Sequence, residues 1–478
     1  MEERSPRTWF DHAKLGVFVH WGLYSVPAWA PRTPDIQRLL HDDGPRAMLR
    51  DIPYAEWYRN TMAIEGSPTW EHHRRTHGAD FTYDDFIPGF DDASGGADVD
   101  AIAALAADAG AGYVVLTSKH ADGFSLWPSD VDHPRRGAYR SRRDLVGAMT
   151  DAVRARGMRM GLYYCGGYDW AFTERTMRRG ADMLLAIPTA PEYERFAAAQ
   201  VRELIERCAP SVLWGDVAWP VGDHLDALIA DYRAAVPDGV VNDRWAVTPG
   251  LEGRARRALL GAGGRAVEAL WSRLPDERRR LTFPPSPTRD FRTPEYEVPD
   301  DVQAEKWELA RGVGHSFGLN RNEDPATILD ADALVRLLCD VVSRNGNLLI
   351  GVGPDAHGRI PGDHAAPLRG LGTWMRANGT AVRGSRPWVG GPPRAMAGDG
   401  VRYTLVDGVV HALVDATTAS EVVLRGLQEG SVTSAVLLST GGALEVVDRD
   451  GAPAIRLGYG RPAEPVHAIR LGREVRTV

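Results

Sequence analysis

The chain has 478 residues, 44% of them hydrophobic and 25% charged, and 56 Lys+Arg against 64 Asp+Glu leave a net charge of −8. That length exceeds what one hydrophobic core normally serves, so two domains are expected, and the acidic balance argues against nucleic-acid binding, which needs a basic face. Three widely spaced cysteines suggest neither a disulfide framework nor a metal motif, and no apolar run reaches membrane-spanning length.

The N-terminus, MEERSPRTWFDHAKLG, has no apolar signal core, so a cytoplasmic location is expected. KLGVFVHW (14–21) is the first strand candidate. EHHRRTH follows, with His73 and His77 at i, i+4 but no inner glutamate, and reads as a solvated helix rather than a metal site. Residues 98–109 place Val99, Ile102, Ala103, Leu105 and Ala106 mainly on one helical face, and a strand is expected at 112–118. Asp144 is a good N-cap for a helix with Leu145, Ala148, Met149, Ala152 and Val153 on one side. Further near-continuous apolar runs occur at 158–165, 211–216, 240–245 and 347–354. Such runs, alternating with amphipathic helices, predict a parallel sheet covered on both faces, and a (β/α)8-like barrel fits their number best. A sixth strand is not legible, and KWELARGV (306–313) reads as helix.

Residues 251–289 carry nine arginines, two Gly-rich breaks and PPSP, and read as an insertion between barrel units. Residues 379–400 are rich in Gly and Pro and read as a linker, after which short alternating strands with DG and GG turns predict an antiparallel β-sandwich. The expected organisation is a barrel over 1–380 and a sandwich over 381–478.

A parallel barrel presents its functional side chains at the C-terminal ends of its strands. There stand His20-Trp21, Lys119-His120-Ala121-Asp122, Tyr163-Tyr164, Trp214-Gly215-Asp216 and Asn242-Asp243-Arg244-Trp245. Aromatic faces with imidazoles, an arginine and carboxylates suit a sugar, whose C–H faces stack on rings while its hydroxyls seek polar partners. Singly, each has a structural reading too: Asp122 could merely cap a helix, and each tryptophan could be core. GHSFG (314–318) matches a serine nucleophile elbow, but that motif needs a strand before it and a helix after it. No phosphate-binding glycine motif stands in a strand–turn–helix context.

WFDHAKLGVFVHWGLYSVPAWAP, PYAEWYRNTM, VLTSKHADGFSLW, PSVLWGDVAWP, VVNDRW, DFRTPEY and KWELARGVGHSFGLNRNE occur in this order. Together they resemble the α-L-fucosidases of glycoside hydrolase family 29. The resemblance implies a retaining exo-glycosidase acting on an α-L-fucoside or a related 6-deoxysugar glycoside, with no metal or organic cofactor. It further implies Asp216 as nucleophile and Glu295 as acid/base. His20, Glu56, Trp57, His120, Tyr163, Trp214 and Arg244 would line the sugar site, with Phe317 towards the deoxysugar methyl. The expected partner is a small-molecule or oligosaccharide glycoside, with no nucleic acid and no membrane; homo-oligomerisation is left open.

One position departs from the pattern. The family motif KHHDGF reads KHADGF here, so Ala121 stands where a sugar-contacting histidine is expected. Either another residue, such as one from the insertion, supplies that contact, or the accepted sugar is a modified relative of fucose. A sugar-binding protein that has lost catalysis is the reading from another functional class.

Overall fold

The computed structural model describes residues 8–220, 224–247, 253–280, 286–388, 400–415, 420–458 and 463–473. Seven strands form one wholly parallel sheet: β1 (Leu15–Val19), β2 (Tyr113–Lys119), β3 (Arg159–Cys165), β4 (Val212–Asp216), β5 (Val240–Val241), β6 (Trp307–Gly312) and β7 (Gly346–Val352). Their spatial order is β5-β4-β3-β2-β1-β7-β6. All but a few of their residues are buried, as expected of strands with helices outside and side chains within.

The ring is completed by a segment that forms no regular strand. Asn242 bridges Phe291, Arg292 bridges Trp307 and Glu295 bridges Ala310, all parallel, so residues 291–295 join β5 to β6. Pro294 has no N–H to give the ladder but accepts one from Ala310 (3.1 Å), which keeps the closure irregular. This is the missing sixth strand of the sequence reading.

KWELARGV is corrected by the structure: Trp307–Gly312 is strand β6, not helix. Glu, Leu, Ala and Arg favour helix, but Trp307, Glu308, Leu309 and Ala310 are fully buried between β7 and the closing segment. Tertiary pairing therefore overrides propensity. The helices Val99–Asp108 and Leu145–Ala155 form as expected, capped by the carboxylates of Asp98 and Asp144. The EHHRRTH helix, Pro68–Thr76, is not solvated all round. His73 is buried, with Nδ1 3.0 Å from the Tyr58 hydroxyl and Nε2 2.8 Å from the Phe81 carbonyl, a structural role.

Eight further strands form an antiparallel sheet, beginning with Arg386–Pro387, which falls inside the expected linker; residues 389–399 of that stretch lie outside the described residues. Tyr403 and Ile455, on strands far apart in that sheet, share one core, so the sheet folds over on itself as a sandwich. It docks on the barrel's outer helices Ala331–Ser343 and Gly362–Asn378. Trp374 donates to the Val466 carbonyl (2.8 Å), and Arg336 pairs with Asp415. The insertion contains the helix Gly253–Leu270, which leaves Leu259, Val267 and Leu270 exposed. Among the described residues no helix is long and apolar enough to cross a membrane.

Candidate active site

The C-terminal ends of the barrel strands converge on one pocket. The ten residues that the family resemblance assigns to the site all line it: His20, Glu56, Trp57, His120, Tyr163, Trp214, Asp216, Arg244, Glu295 and Phe317. Of the other strand-end residues, Trp21, Lys119, Ala121, Asp122, Tyr164, Asn242, Asp243 and Trp245 do not.

The wall is built by strand register. Tyr163 on β3 is paired with Trp214 on β4, and their rings stack with centroids 5.6 Å apart. His120, just beyond β2, stacks on the other side of Tyr163 at 5.5 Å. Arg244, just beyond β5, lies over Trp214 at 4.8 Å. Four neighbouring strand ends thus give one continuous stack, because adjacent parallel strands hold their side chains about 4.8 Å apart. His20 and Phe317 stack at 4.8 Å across from it.

The two candidate catalytic carboxylates share one cation. Arg244 Nη1 donates to Asp216 Oδ1 (2.8 Å) and to Glu295 Oε1 (2.6 Å). Asp216 also accepts from the Tyr163 hydroxyl (2.6 Å) and from the Val217 N–H (2.8 Å). Glu295 accepts from the Tyr54 hydroxyl (3.0 Å). The guanidinium is itself fixed by Thr293, through its hydroxyl (3.0 Å) and carbonyl (2.9 Å). Burial opposes the Arg244 charge, but Glu295, Asp216 and Asp243 outweigh it and hold the group above its ordinary pKa. Val217 and Tyr296, the residues that follow the two carboxylates, both adopt left-handed backbone (φ 68° and 56°). For β-branched Val217 this conformation is strained, and such strain concentrates at functional sites.

Glu56 accepts from the Gly318 N–H (2.9 Å), and burial pushes its carboxyl up to about 7. Burial lowers the pKa of both histidines, that of His120 to about 4, so they are neutral near pH 7. Each leaves a buried Nδ1 without a hydrogen-bond partner among the described residues. Buried polar atoms are normally satisfied, so neutral orphaned imidazoles in a pocket are set for a ligand's hydroxyls.

Several functional residues escaped the sequence reading. Tyr54 stands two residues before Glu56 in PYAEW, and Thr293 two before Glu295 in DFRTPEY, so both were within reach of the motifs. Tyr168, Ile36, Met48 and Met183 also line the pocket, and no local signal marks them. Glu308, on β6, accepts from the Trp214 indole N–H (3.0 Å) and from the Tyr113 hydroxyl.

Burial pushes Glu308 up to about 7 from an ordinary 4.5 despite these two donors. Between those values the folded chain holds a proton that the unfolded chain has released. The resulting stabilisation is complete below 4.5 and is lost as pH rises through about 7. Glu308→Gln, which mimics the protonated group, should make the unfolding free energy less dependent on pH in that window, by up to about 1.4 kcal/mol per pH unit. Urea titrations across the window check this; an unchanged slope would show that Glu308 does not titrate there.

Lys119, Asp122 and Ala121 do not line the pocket. Lys119 is fully buried, bonded to Asp169 Oδ2 (3.1 Å) and the Cys165 carbonyl (3.1 Å). Asp122 accepts from Tyr83 (2.8 Å) and the Phe124 N–H (3.2 Å), a turn-holding role. Ala121 is 2% exposed, packs in one cluster with Tyr168 and Trp170, and accepts the Trp170 N–H (2.8 Å). No described residue of the insertion lines the pocket either, so none stands in for the missing histidine. Ser316 is buried and donates to the Gly318 carbonyl (2.6 Å), and loop follows it, so GHSFG is no nucleophile elbow although a strand precedes it.

The α-L-fucosidase family model matches residues 1–380. The α-L-fucosidase of Dictyostelium discoideum is 29% identical over 395 residues, 80% of this chain and 72% of its own. The tissue α-L-fucosidase of Rattus norvegicus is 28% identical over 448 residues, 92% of this chain and 82% of its own. The structure of Thermotoga maritima α-fucosidase is similar with a TM-score of 0.79 at 34% identity, covering 98% of this chain and 97% of that one. The α-L-fucosynthase of the same organism, in complex with α-L-Fuc-(1-2)-β-L-Fuc-N3, gives 0.81 at 33% identity, covering 98% and 96%.

Proposed function

The chain belongs to the α-L-fucosidase family, a family of glycoside hydrolases, and from that premise we propose that it cleaves α-L-fucosides with retention, through Asp216 as nucleophile and Glu295 as acid/base. The shared guanidinium carries this reading. Bonds of 2.8 and 2.6 Å from one nitrogen cap the separation of the two nearest carboxylate oxygens at 5.4 Å. Retaining glycosidases hold their carboxyls about 5–5.5 Å apart, whereas inverting ones need about 6.5–9.5 Å to admit a water between acid and sugar.

In the first step Asp216 attacks the anomeric carbon as the bond to the aglycone oxygen breaks, and Glu295 protonates that oxygen. In the second, Glu295 takes a proton from water, which attacks the same carbon and frees Asp216. Tyr163 bonds one oxygen of Asp216, while Arg244 and the Val217 N–H bond the other, so the attacking group is oriented before the sugar arrives. The neutral histidines and Glu56 receive the hydroxyls, and the ring stack receives the C–H face. The family match favours an α-L-fucoside as substrate, although Ala121 supplies no sugar contact where the family pattern has a histidine.

Proton NMR of p-nitrophenyl α-L-fucoside hydrolysis tests the reading. The first-formed product should be α-L-fucose, which then mutarotates. First appearance of the β anomer would mean inversion, and no release of fucose would remove the activity itself.

A further inference from the structure

We propose that the leaving-group side of the pocket is a cleft for an apolar aglycone, an aryl or branched alkyl alcohol rather than a second sugar, and that the insertion holds its shape. The inference rests on the fucosidase reading. The polar groups of the pocket are accounted for by the two carboxylates and the sugar hydroxyls. Even the remaining tyrosines are engaged, Tyr54 with Glu295 and Tyr168 with the Met183 carbonyl (2.9 Å). What remains of the wall is apolar: Phe18 and Val217 on the barrel side, and Ile36, Met48 and Met183 facing them.

The position of these last three identifies the side they serve. Gln37, next to Ile36, donates to the backbone carbonyl of Glu295 (3.4 Å), so this wall adjoins the group that protonates the departing oxygen. A sugar in that space would bury hydroxyls against methyl and thioether groups without partners, whereas an apolar alcohol loses nothing and gains its transfer free energy. Methionine suits such a wall because its unbranched, polarisable chain adapts to varied shapes.

The insertion clamps both helices that carry the wall. Trp271 donates to the Leu40 carbonyl (2.9 Å) and Arg279 to that of His41 (3.2 Å), fixing the helix Ile36–Asp51. Glu268 caps the N-terminus of the helix Gly180–Leu185 through the Gly180 N–H (2.7 Å). At Gly264 the two helices approach so closely that a Cβ would stand 2.4 Å from that of Ala181. The described residues of the insertion thus act on the cleft from behind, and none of them lines it.

The test compares methyl, 2-phenylethyl and galactosyl α-L-fucosides, whose leaving alcohols are all unactivated. Their kcat/KM is measured with the native protein, and their binding by calorimetry to the Asp216→Asn protein. The 2-phenylethyl glycoside should exceed the methyl one by about tenfold in both, the gain expected from burying part of a phenyl group. Met183→Ser should bring that ratio towards one. Equal values for the methyl and phenylethyl glycosides, a preference for the disaccharide, or a ratio unmoved by Met183→Ser would overturn the inference while fucose release stands. Absence of hydrolysis of all three by the native protein would instead overturn the fucosidase reading, with the calorimetric ratio still reporting on the cleft.

Discussion

Replacement of Asp216 by glycine is expected to lower kcat on p-nitrophenyl α-L-fucoside by on the order of 10⁴-fold or more, the scale seen when a covalent nucleophile is removed. The vacated space keeps its anion-binding donors, since the Tyr163 hydroxyl, the Arg244 guanidinium and the Val217 N–H all point into it. Azide should therefore bind there and attack the anomeric carbon from the face Asp216 leaves, restoring p-nitrophenol release and yielding the β-L-fucosyl azide. Glu295→Ala should respond differently. Asp216 still forms the glycosyl–enzyme, azide replaces water in the second step, and the product is the α-L-fucosyl azide. Product stereochemistry by NMR thus distinguishes the two carboxylates. A pure sugar-binding protein would lose no activity in either variant, because it has none. Residual activity of Asp216→Gly within tenfold of the native protein would remove it from the nucleophile's role.

Arg244→Leu is expected to damage stability and catalysis together. The side chain is 1% exposed and bonds both carboxyl groups at once. Removing one partner of a buried ion pair costs about 3–5 kcal/mol because a charge is left uncompensated. Asp216 and Glu295 are 17% and 10% exposed, so some water reaches them and the lower end, about 3 kcal/mol, is expected. Activity should fall on the order of 10²–10³-fold, as when a preorganised donor to a reacting charge is lost. The double variant Arg244→Leu/Glu295→Gln should recover part of the stability and none of the activity, since it removes one of the two acidic groups left without the cation while also removing the acid. Denaturant unfolding of the single and double variants measures this coupling. Additive effects on stability would mean that the guanidinium does not join the two groups energetically.

The barrel was largely legible because a fully covered parallel strand must be apolar along its length. Six of its strands show as apolar runs, and Asp98 and Asp144 mark their helices by local capping chemistry that needs no tertiary partner. Two elements were not legible, for the same physical reason. β6 is written in helix-favouring residues, and the closing segment FRTPE contains a proline and no apolar run. Both pair into the barrel, β6 as a strand and FRTPE through isolated bridges, only because the edges of β5 and β7 offer them partners. The site divides in the same way. Residues at strand ends could be collected from barrel logic, whereas Glu56, Glu295 and Phe317 came from motif resemblance alone, since none of them follows an apolar run that reads as a strand.

What the amino-acid sequence determined by itself was the chemistry on offer: histidines, aromatics, an arginine and carboxylates at the ends of apolar strands, in an order that resembles one enzyme family. Only the tertiary structure decided which of them meet. It put His120 in the pocket but sent its neighbours Lys119 and Asp122 into buried networks, because successive residues leaving a strand diverge in direction. It left Ala121 out of the pocket wall. It joined Asp216 and Glu295, seventy-nine positions apart, on one guanidinium. Such a separation is bridged by barrel closure, a property of all the strands together that no single stretch of sequence contains.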